Sequence, residues 1–403
     1  MTKDIDIVIS LKNLENYVRK NNYSGFDPYD ALNSCILNSL NNRFLRLVST
    51  QIIVYSPINL RKFLRIENGK NPKAIGIFLQ AYCRLFQQNL IEKKDFENVT
   101  KELVEFLMQN RSIGYSGDCW GFNFDWQDLD RYTKKGVPTI VVTSYVANAF
   151  LDMYKITNNK KYLDIARSSC EFILKDLYIT KTEKGICFSY TPIDKYIVHN
   201  ANALGSALLA RVYAITKENI LLEYSKQAFD YLLSYQKNDG SWSYSIDINT
   251  RKESNQIDFH QGFIIDAICD FVRFNKSEDK KYLNGLRKAV CFYKKNQFYK
   301  DGCAMWRLPQ RYPIDIHHQA QGIITFNKLY SFYKEDKYLD FSKKIAEWTI
   351  KNMQDKQGYF YFQKWPFFTN KISYMRWGQA WMMLALTSIL SQMNKINKSY
   401  EYI

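Results

Sequence analysis

The chain has four histidines, and all four open an apolar run: His199 in HNANALGSALLARVY, His260 in DFHQGFIIDAICDF, His317 and His318 in HHQAQGIITFNKLY. Asp258 lies two residues before His260, and Asp315 two before His317. Imidazole titrates near neutrality and an adjacent carboxylate sets its pKa, so each pair is a candidate for acid–base work, with His318 beside the second. Tyr145 and Tyr374 open two further apolar runs and are candidates to take and return a proton. Arg307 and Arg376 offer forks that hold a carboxylate with two hydrogen bonds. Trp120, Trp126, Trp242, Trp306 and Trp377 supply aromatic faces. Asp125, Asn148, His199, Asn202, Gln321 and Gln379 supply groups that fix hydroxyls. Aromatic faces with a few convergent polar groups suit a sugar. The arginines and converging helix N-termini favour an anionic one, such as a uronate. Arg376→Lys should then weaken uronate binding and leave the fold intact. Asp125, Asp258 and Asp315 are the carboxylates available for a two-carboxylate hydrolysis. The plain alternative is helix capping, for which Asp258 and Asn200 are natural types.

These residues sit in a repeat. Aligned on Val146, Gly205, Gly262, Gly322 and Gly378, the apolar runs are spaced 59, 57, 60 and 56 residues apart, with an earlier copy around Gly76. Before each run comes an amphipathic, lysine-rich segment, as in KYLDIARSSCEF, KYLNGLRKAVCF and KYLDFSKKIAEW. Gly240, Gly302 and Gly358 then mark turns that lead into aromatic loops. The unit reads outer helix, glycine turn, aromatic loop, inner helix. A helix that is apolar all round must be buried, while one with a single apolar stripe faces water. About six such hairpins predict an all-α fold, an (α/α)6 toroid with an inner barrel inside an outer one; an open solenoid is the alternative. Every inner helix of a toroid starts at the same end, so the candidate residues should line one cavity there.

The reading covers residues 1–403 as one domain: N-terminal helices and a basic loop over 1–74, hairpins over 75–390, and a frayed tail over 391–403. Residues 29–47 carry helical periodicity. The loop over residues 114–138 exceeds ordinary connection length, which marks it as a candidate functional segment. With 46% hydrophobic residues a large core is available. Eight cysteines are scattered without a CxxC pair, which predicts buried, reduced thiols. The N-terminus MTKDIDIVISLKN does not read as a signal peptide, so a soluble cytoplasmic protein is expected. No run reaches the length of a membrane span. The net charge of +16 is spread over the outer helices without a nucleic-acid motif, so no nucleic-acid partner is expected. The partner expected is a sugar or oligosaccharide; the oligomeric state is open.

The pattern over residues 75–390 resembles the α/α-toroid superfamily, which includes six-hairpin glycosidases, N-acylglucosamine 2-epimerases, unsaturated glucuronyl hydrolases and the helical part of glucuronyl C5-epimerases, and it resembles toroid proteins of bacterial surface-polysaccharide clusters. The resemblance implies a carbohydrate-active enzyme, by epimerisation, lyase cleavage or hydrolysis, with no cofactor. AFDYLLSYQKNDGSW resembles the QW motif of terpenoid cyclases and prenyltransferase β-subunits, and AEWTIKNMQDKQGYF is a fainter copy. That resemblance implies an isoprenoid alternative. Asp301 and Cys303 look like the prenyltransferase zinc pair, but the third ligand is missing, so no metal is expected. A toroid that binds a glycan or partner protein without turning it over remains the non-catalytic alternative.

Overall fold

The computed structural model describes residues 2–128, 132–247, 250 and 252–400, except the side chains of residues 2–6 and 394–400. Residues 401–403 of the expected tail, and 129–131 of the long aromatic loop, lie outside the described residues.

The chain opens with α1 (Thr2–Lys20), a short 3-10 turn (Asp30–Asn33), α2 (Cys35–Asn38) and α3 (Arg43–Tyr55). Hairpins follow: α4 (Pro72–Gln87) with α5 (Lys93–Gln109), α6 (Ile140–Thr157) with α7 (Lys160–Lys175), and α8 (His199–Thr216) with α9 (Asn219–Ser234). Then come α10 (His260–Asn275) with α11 (Lys280–Asn296), α12 (Ile316–Tyr333) with α13 (Asp336–Met353), and a π-helical turn (Met375–Gln379) leading into α14 (Ala380–Tyr400). Even-numbered helices from α4 to α14 form the inner barrel, each packed on the next, and α14 returns to α4. Arg84 on α4 donates to the Leu384 carbonyl at 3.2 Å, and Gln88 donates to Ser391 Oγ at 2.7 Å across that last joint. The ring is therefore closed, and the open solenoid is excluded.

Local chemistry sets the hairpin geometry. Asn71, Thr139 and Asp315 accept backbone N–H bonds at the starts of α4, α6 and α12. The inner helices α6, α8, α10 and α12 end in left-handed residues, Asn158, Lys217, Lys276 and Lys334, and turn at once into the outer helices. The links from outer to inner helices are long and carry the aromatic segments. Short antiparallel ladders knit one long link to another, as where Ile197–Val198 pairs with Ser245–Ile246 and Ile314–Asp315 with Gln363–Lys364.

The turn glycines explain how the ring closes. A Cβ on Gly240 would lie 2.4 Å from the Lys288 carbonyl oxygen on α11, and one on Gly358 2.2 Å from the Asn13 carbonyl oxygen on α1. Each turn packs on the next outer helix, so α1 fills the sixth outer position although it comes first in the chain. The QW-like segments fasten these joints. Gln236 Nε2 donates to the Gly240 carbonyl at 3.0 Å and the Gly285 carbonyl at 2.8 Å. Gln354 Nε2 does the same to Gly358 at 2.9 Å and Ser10 at 3.0 Å.

Four expectations need correction. Residues 29–47 do not form one helix; they break into the 3-10 turn, α2 and the start of α3. Arg61, in the expected basic loop, is fully buried, with Nε 2.7 Å from Asp30 Oδ1 and Nη1 2.9 Å from the Tyr374 hydroxyl. The expected frayed tail continues α14 to Tyr400. Cys35 and Cys291 are exposed, whereas the other six cysteines are buried; all eight are free. No helix of the described residues is long and apolar enough to cross a membrane.

Candidate functional site

At the mouth where the long links meet, the first turn of α10 brings Asp258 and His260 together. Asp258 Oδ1 accepts the His260 backbone N–H at 3.1 Å and lies 2.5 Å from His260 Nδ1. Oδ2 accepts Gln256 Nε2 at 2.7 Å and has Arg307 Nε at 3.6 Å. Burial alone would raise the Asp258 carboxyl, but His260 and Arg307 outweigh it and hold it at about 2. The Asp258 side chain is 3% exposed, that of His260 16% and that of Arg307 44%. A buried carboxylate thus orients a half-buried imidazole beside an accessible guanidinium, which also lies over Trp306 with its Cζ 5.4 Å from the ring. Tyr244 and Phe259 flank His260 at ring separations of 4.6 and 4.1 Å.

The second expected pair does not form. Asp315 Oδ1 accepts the backbone N–H of His317 at 2.8 Å and Trp377 Nε1 at 2.9 Å, and Oδ2 accepts Gln363 Nε2 at 2.9 Å. It is a helix cap and an indole anchor, fully buried, its carboxyl raised to about 6 by burial. The His317 ring instead places Nδ1 3.0 Å from the Trp377 carbonyl oxygen and stacks on that indole at 4.4 Å. Lys73 shares neighbouring rings with His317: its ammonium stands 4.8 Å from the Tyr145 ring, 5.3 Å from Trp381 and 5.8 Å from Phe263. Burial holds the Lys73 ammonium and the His317 imidazole well below their ordinary values, and the two cationic forms oppose each other.

Arg376 reaches this mouth but is occupied. Asp27, from the segment between α1 and α2, bonds it through both oxygens, Nε–Oδ2 at 2.5 Å and Nη2–Oδ1 at 2.6 Å. Tyr29 from the same segment packs on Trp377 at 5.5 Å. Tyr374 is held by Arg61, and burial raises its hydroxyl pKa. The other expected ligand groups are mostly structural. The indoles of Trp120 and Trp242 are fully buried and donate to the carbonyls of Leu107 and Leu232, each at 2.8 Å. Asn202 accepts the Phe188 N–H at 3.1 Å, and Gln379 accepts the Phe360 N–H at 2.8 Å, so both pin long links to inner helices. Asp125 accepts the Tyr132 hydroxyl and the Lys135 N–H within the aromatic loop, and Trp126 packs there on Tyr190 at 6.0 Å. His199 and His318 are buried in the barrel wall, their pKa lowered by burial to about 4. The expected single cavity of all these residues is not what the fold builds. Asp301 only closes a turn on the Cys303 N–H at 3.0 Å, and no group of three or more metal-ligating side chains forms among the described residues.

Sequence reasoning missed a cavity of about 630 Å³ at the opposite mouth, among the C-terminal halves of the inner helices. Arg84, Asp152, Arg211, Asp266, Asp270 and Lys328 line it, with Tyr145, Asn148 and Trp381. Gln321 approaches it by donating to Asp266 Oδ2 at 2.9 Å. The signal was present: charged residues recur inside helices that are otherwise apolar.

No family model matches the sequence. A protein of African swine fever virus, from isolates of a South African tick and a Namibian warthog, is 28% identical over 134 residues, which is 30% of this chain and 38% of that protein. The chain thus spans well under half the length of these curated relatives. Solved structures match far more of it. Cellobiose 2-epimerase from Bacillus thermoamylovorans superposes with a TM-score of 0.63 at 15% identity, over 82% of this chain and 90% of that one. A family 76 α-mannanase from Bacteroides thetaiotaomicron gives 0.64 at 14%, over 81% and 87%. An unsaturated glucuronyl hydrolase specific for heparin gives 0.60 at 12%, over 83% and 89%. These neighbours are carbohydrate-active enzymes, and at such identity they establish architecture. By fold, the chain is an α/α toroid, the architecture these solved structures share.

Proposed function

We propose that the chain is a carbohydrate-active enzyme that moves the proton beside the carboxylate of an acidic sugar, by epimerisation or lyase cleavage. The observation that carries this is the Asp258–His260 contact of 2.5 Å next to the accessible Arg307. Asp258 accepts the Nδ1 proton and so leaves the Nε2 lone pair of neutral His260 free to act as base. Arg307 would hold the sugar carboxylate, and the electron pair of the broken C–H bond would move into that carboxylate, stabilised by the guanidinium. For epimerisation, His260 passes its proton to solvent and a water molecule delivers one to the other face. For the lyase, the oxygen substituent on the next carbon leaves with the proton that His260 took.

Two-carboxylate hydrolysis is less well supported. Both oxygens of Asp315 are engaged and fully buried, and Asp125 is bound within its own loop. Incubation with glucuronate-containing oligosaccharides in heavy water tests the proposal. Deuterium at the carbon beside the carboxylate, or an unsaturated product, is expected, and both should vanish in His260→Gln. Neither signal with any uronate substrate, at preserved fold, would sink the reading.

A further inference from the structure

We propose that the opposite, short-link mouth is a second binding site, for a small hydroxyl-rich molecule carrying one anionic group. This goes beyond the acid–base reading and does not depend on it. The cavity of about 630 Å³ falls within the range of about 300–1,000 Å³ that small-molecule sites occupy. Tyr145 and Trp381 line it, whereas Lys73 and His317, which contact those same rings, are not among its lining residues.

Its polar groups divide into satisfied and unsatisfied sets. Arg211 Nη2 meets Asp152 Oδ1 at 2.5 Å, and Lys328 Nζ meets Asp270 Oδ2 at 2.6 Å, so these four charges are internally paired. Asp266 Oδ1 and Asn327 Oδ1 are buried acceptors without a hydrogen-bond partner, in residues 9% and 2% exposed. Buried polar groups are nearly always bonded, so two orphan acceptors on one cavity call for donors from a ligand. Hydroxyl groups supply them. Burial raises the Asp266 carboxyl to about 6, so a hydroxyl suits it better than a second charge. At the rim, Arg273 and Lys155 are exposed on the cavity lining, and Arg84 spends one Nη on the Leu384 carbonyl. An anionic group at the outer end of the ligand meets these cations. A sugar acid and a sugar phosphate share this chemistry.

Titration calorimetry of the full chain with glucuronate, glucose 6-phosphate, glucose and inorganic phosphate tests the site and separates its sources. At least one of the two anionic sugars should bind more tightly than glucose or phosphate. Asp266→Asn should weaken that binding by about tenfold or more, and Arg273→Glu, a surface change that leaves the core untouched, should do the same. His260→Gln at the other mouth should leave it unchanged. The inference is overturned if no anionic sugar binds, or if binding survives both Asp266→Asn and Arg273→Glu. It is also overturned if binding is lost in His260→Gln, which would assign the ligand to the long-link mouth. Loss of proton exchange with retained Asp266-dependent binding would sink the catalytic proposal and keep this one.

Discussion

Arg376 and Asp27 lie 349 residues apart in sequence and form a two-pronged ion pair, the two side chains only 4% and 6% exposed. Asp27 sits where the carboxylate of a bound uronate was expected. The arginine is therefore a fastener that holds the 21–71 segment across the long-link mouth. Removing one partner of a buried pair leaves the other charge uncompensated, at a cost of about 3–5 kcal/mol. Asp27→Ala should lower unfolding stability by roughly that amount in urea titration. Arg376→Lys keeps the charge but loses the fork, so it should also destabilise, contrary to the expectation of an intact fold. Unchanged midpoints in both variants would refute the pairing.

Gly358 has φ of +99°, and a Cβ there would strike the Asn13 carbonyl oxygen of α1 at 2.2 Å. Gly358→Ala should therefore wedge α1 out of the sixth outer position, adding about 1–3 kcal/mol of backbone strain to the lost packing. Limited proteolysis should then release the N-terminal helix before the rest of the ring. A variant as resistant as the parent chain would show that α1 does not close the ring through this joint.

The period of inner and outer helices was legible because burial imposes it on every unit. Gly240, Gly302 and Gly358 were legible for the same reason, since each meets a neighbouring backbone. Gly117 and Gly185 make similarly close approaches, to Ser168 and Gln227, but stand at different distances from their helices and escaped the alignment. The site was less legible. His199, His260 and His317 lie six, two and five residues before their aligned glycines; at about 100° per residue His199 and His260 fall within about 40° of each other but one turn apart along the axis, and His317 is turned away from both. His317 faces the axis and its neighbour His318 the wall. Asp315 was read by type as an acid–base group and Trp120 as an aromatic face, yet buried backbone and indole N–H donors claim the carboxylate, and the Leu107 carbonyl accepts the Trp120 indole N–H. The partner of Arg376 could not be read at all, because nothing local links it to Asp27.

Asp266 gives the chain a pH signature. Burial raises its carboxyl from 3.8 to about 6. A carboxyl whose folded pKa is raised contributes stability that is fully present below the unfolded value and is lost as pH rises through the folded one. The native chain should lose about 3 kcal/mol from this group between pH 4 and pH 6. Asp266→Asn has no proton to lose, so its stability relative to the parent should rise over that window. Parallel stability curves for the two proteins across pH 4 to 6 would contradict the burial argument.

Asp258 has the opposite sign and bears on catalysis. Despite burial, His260 and Arg307 lower its carboxyl from 3.8 to about 2. Its contribution to stability is present above the unfolded value and is lost as pH falls from about 4 to 2. Asp258→Asn should flatten stability across that acid range. It should also cost proton transfer about 10²–10⁴-fold, because an amide cannot stabilise the imidazolium that forms when His260 takes a proton. His260→Gln should abolish exchange; it also takes from buried Asp258 its charged partner, so a urea titration of the variant is read beside the exchange rate. Arg307→Lys should chiefly raise the uronate concentration needed for half-maximal rate, because the charge persists while the fork is lost. Heavy-water exchange rates at several substrate concentrations separate these effects. Equal rates in the parent chain and Asp258→Asn would show that this carboxylate only caps a helix, and would remove the dyad from the mechanism.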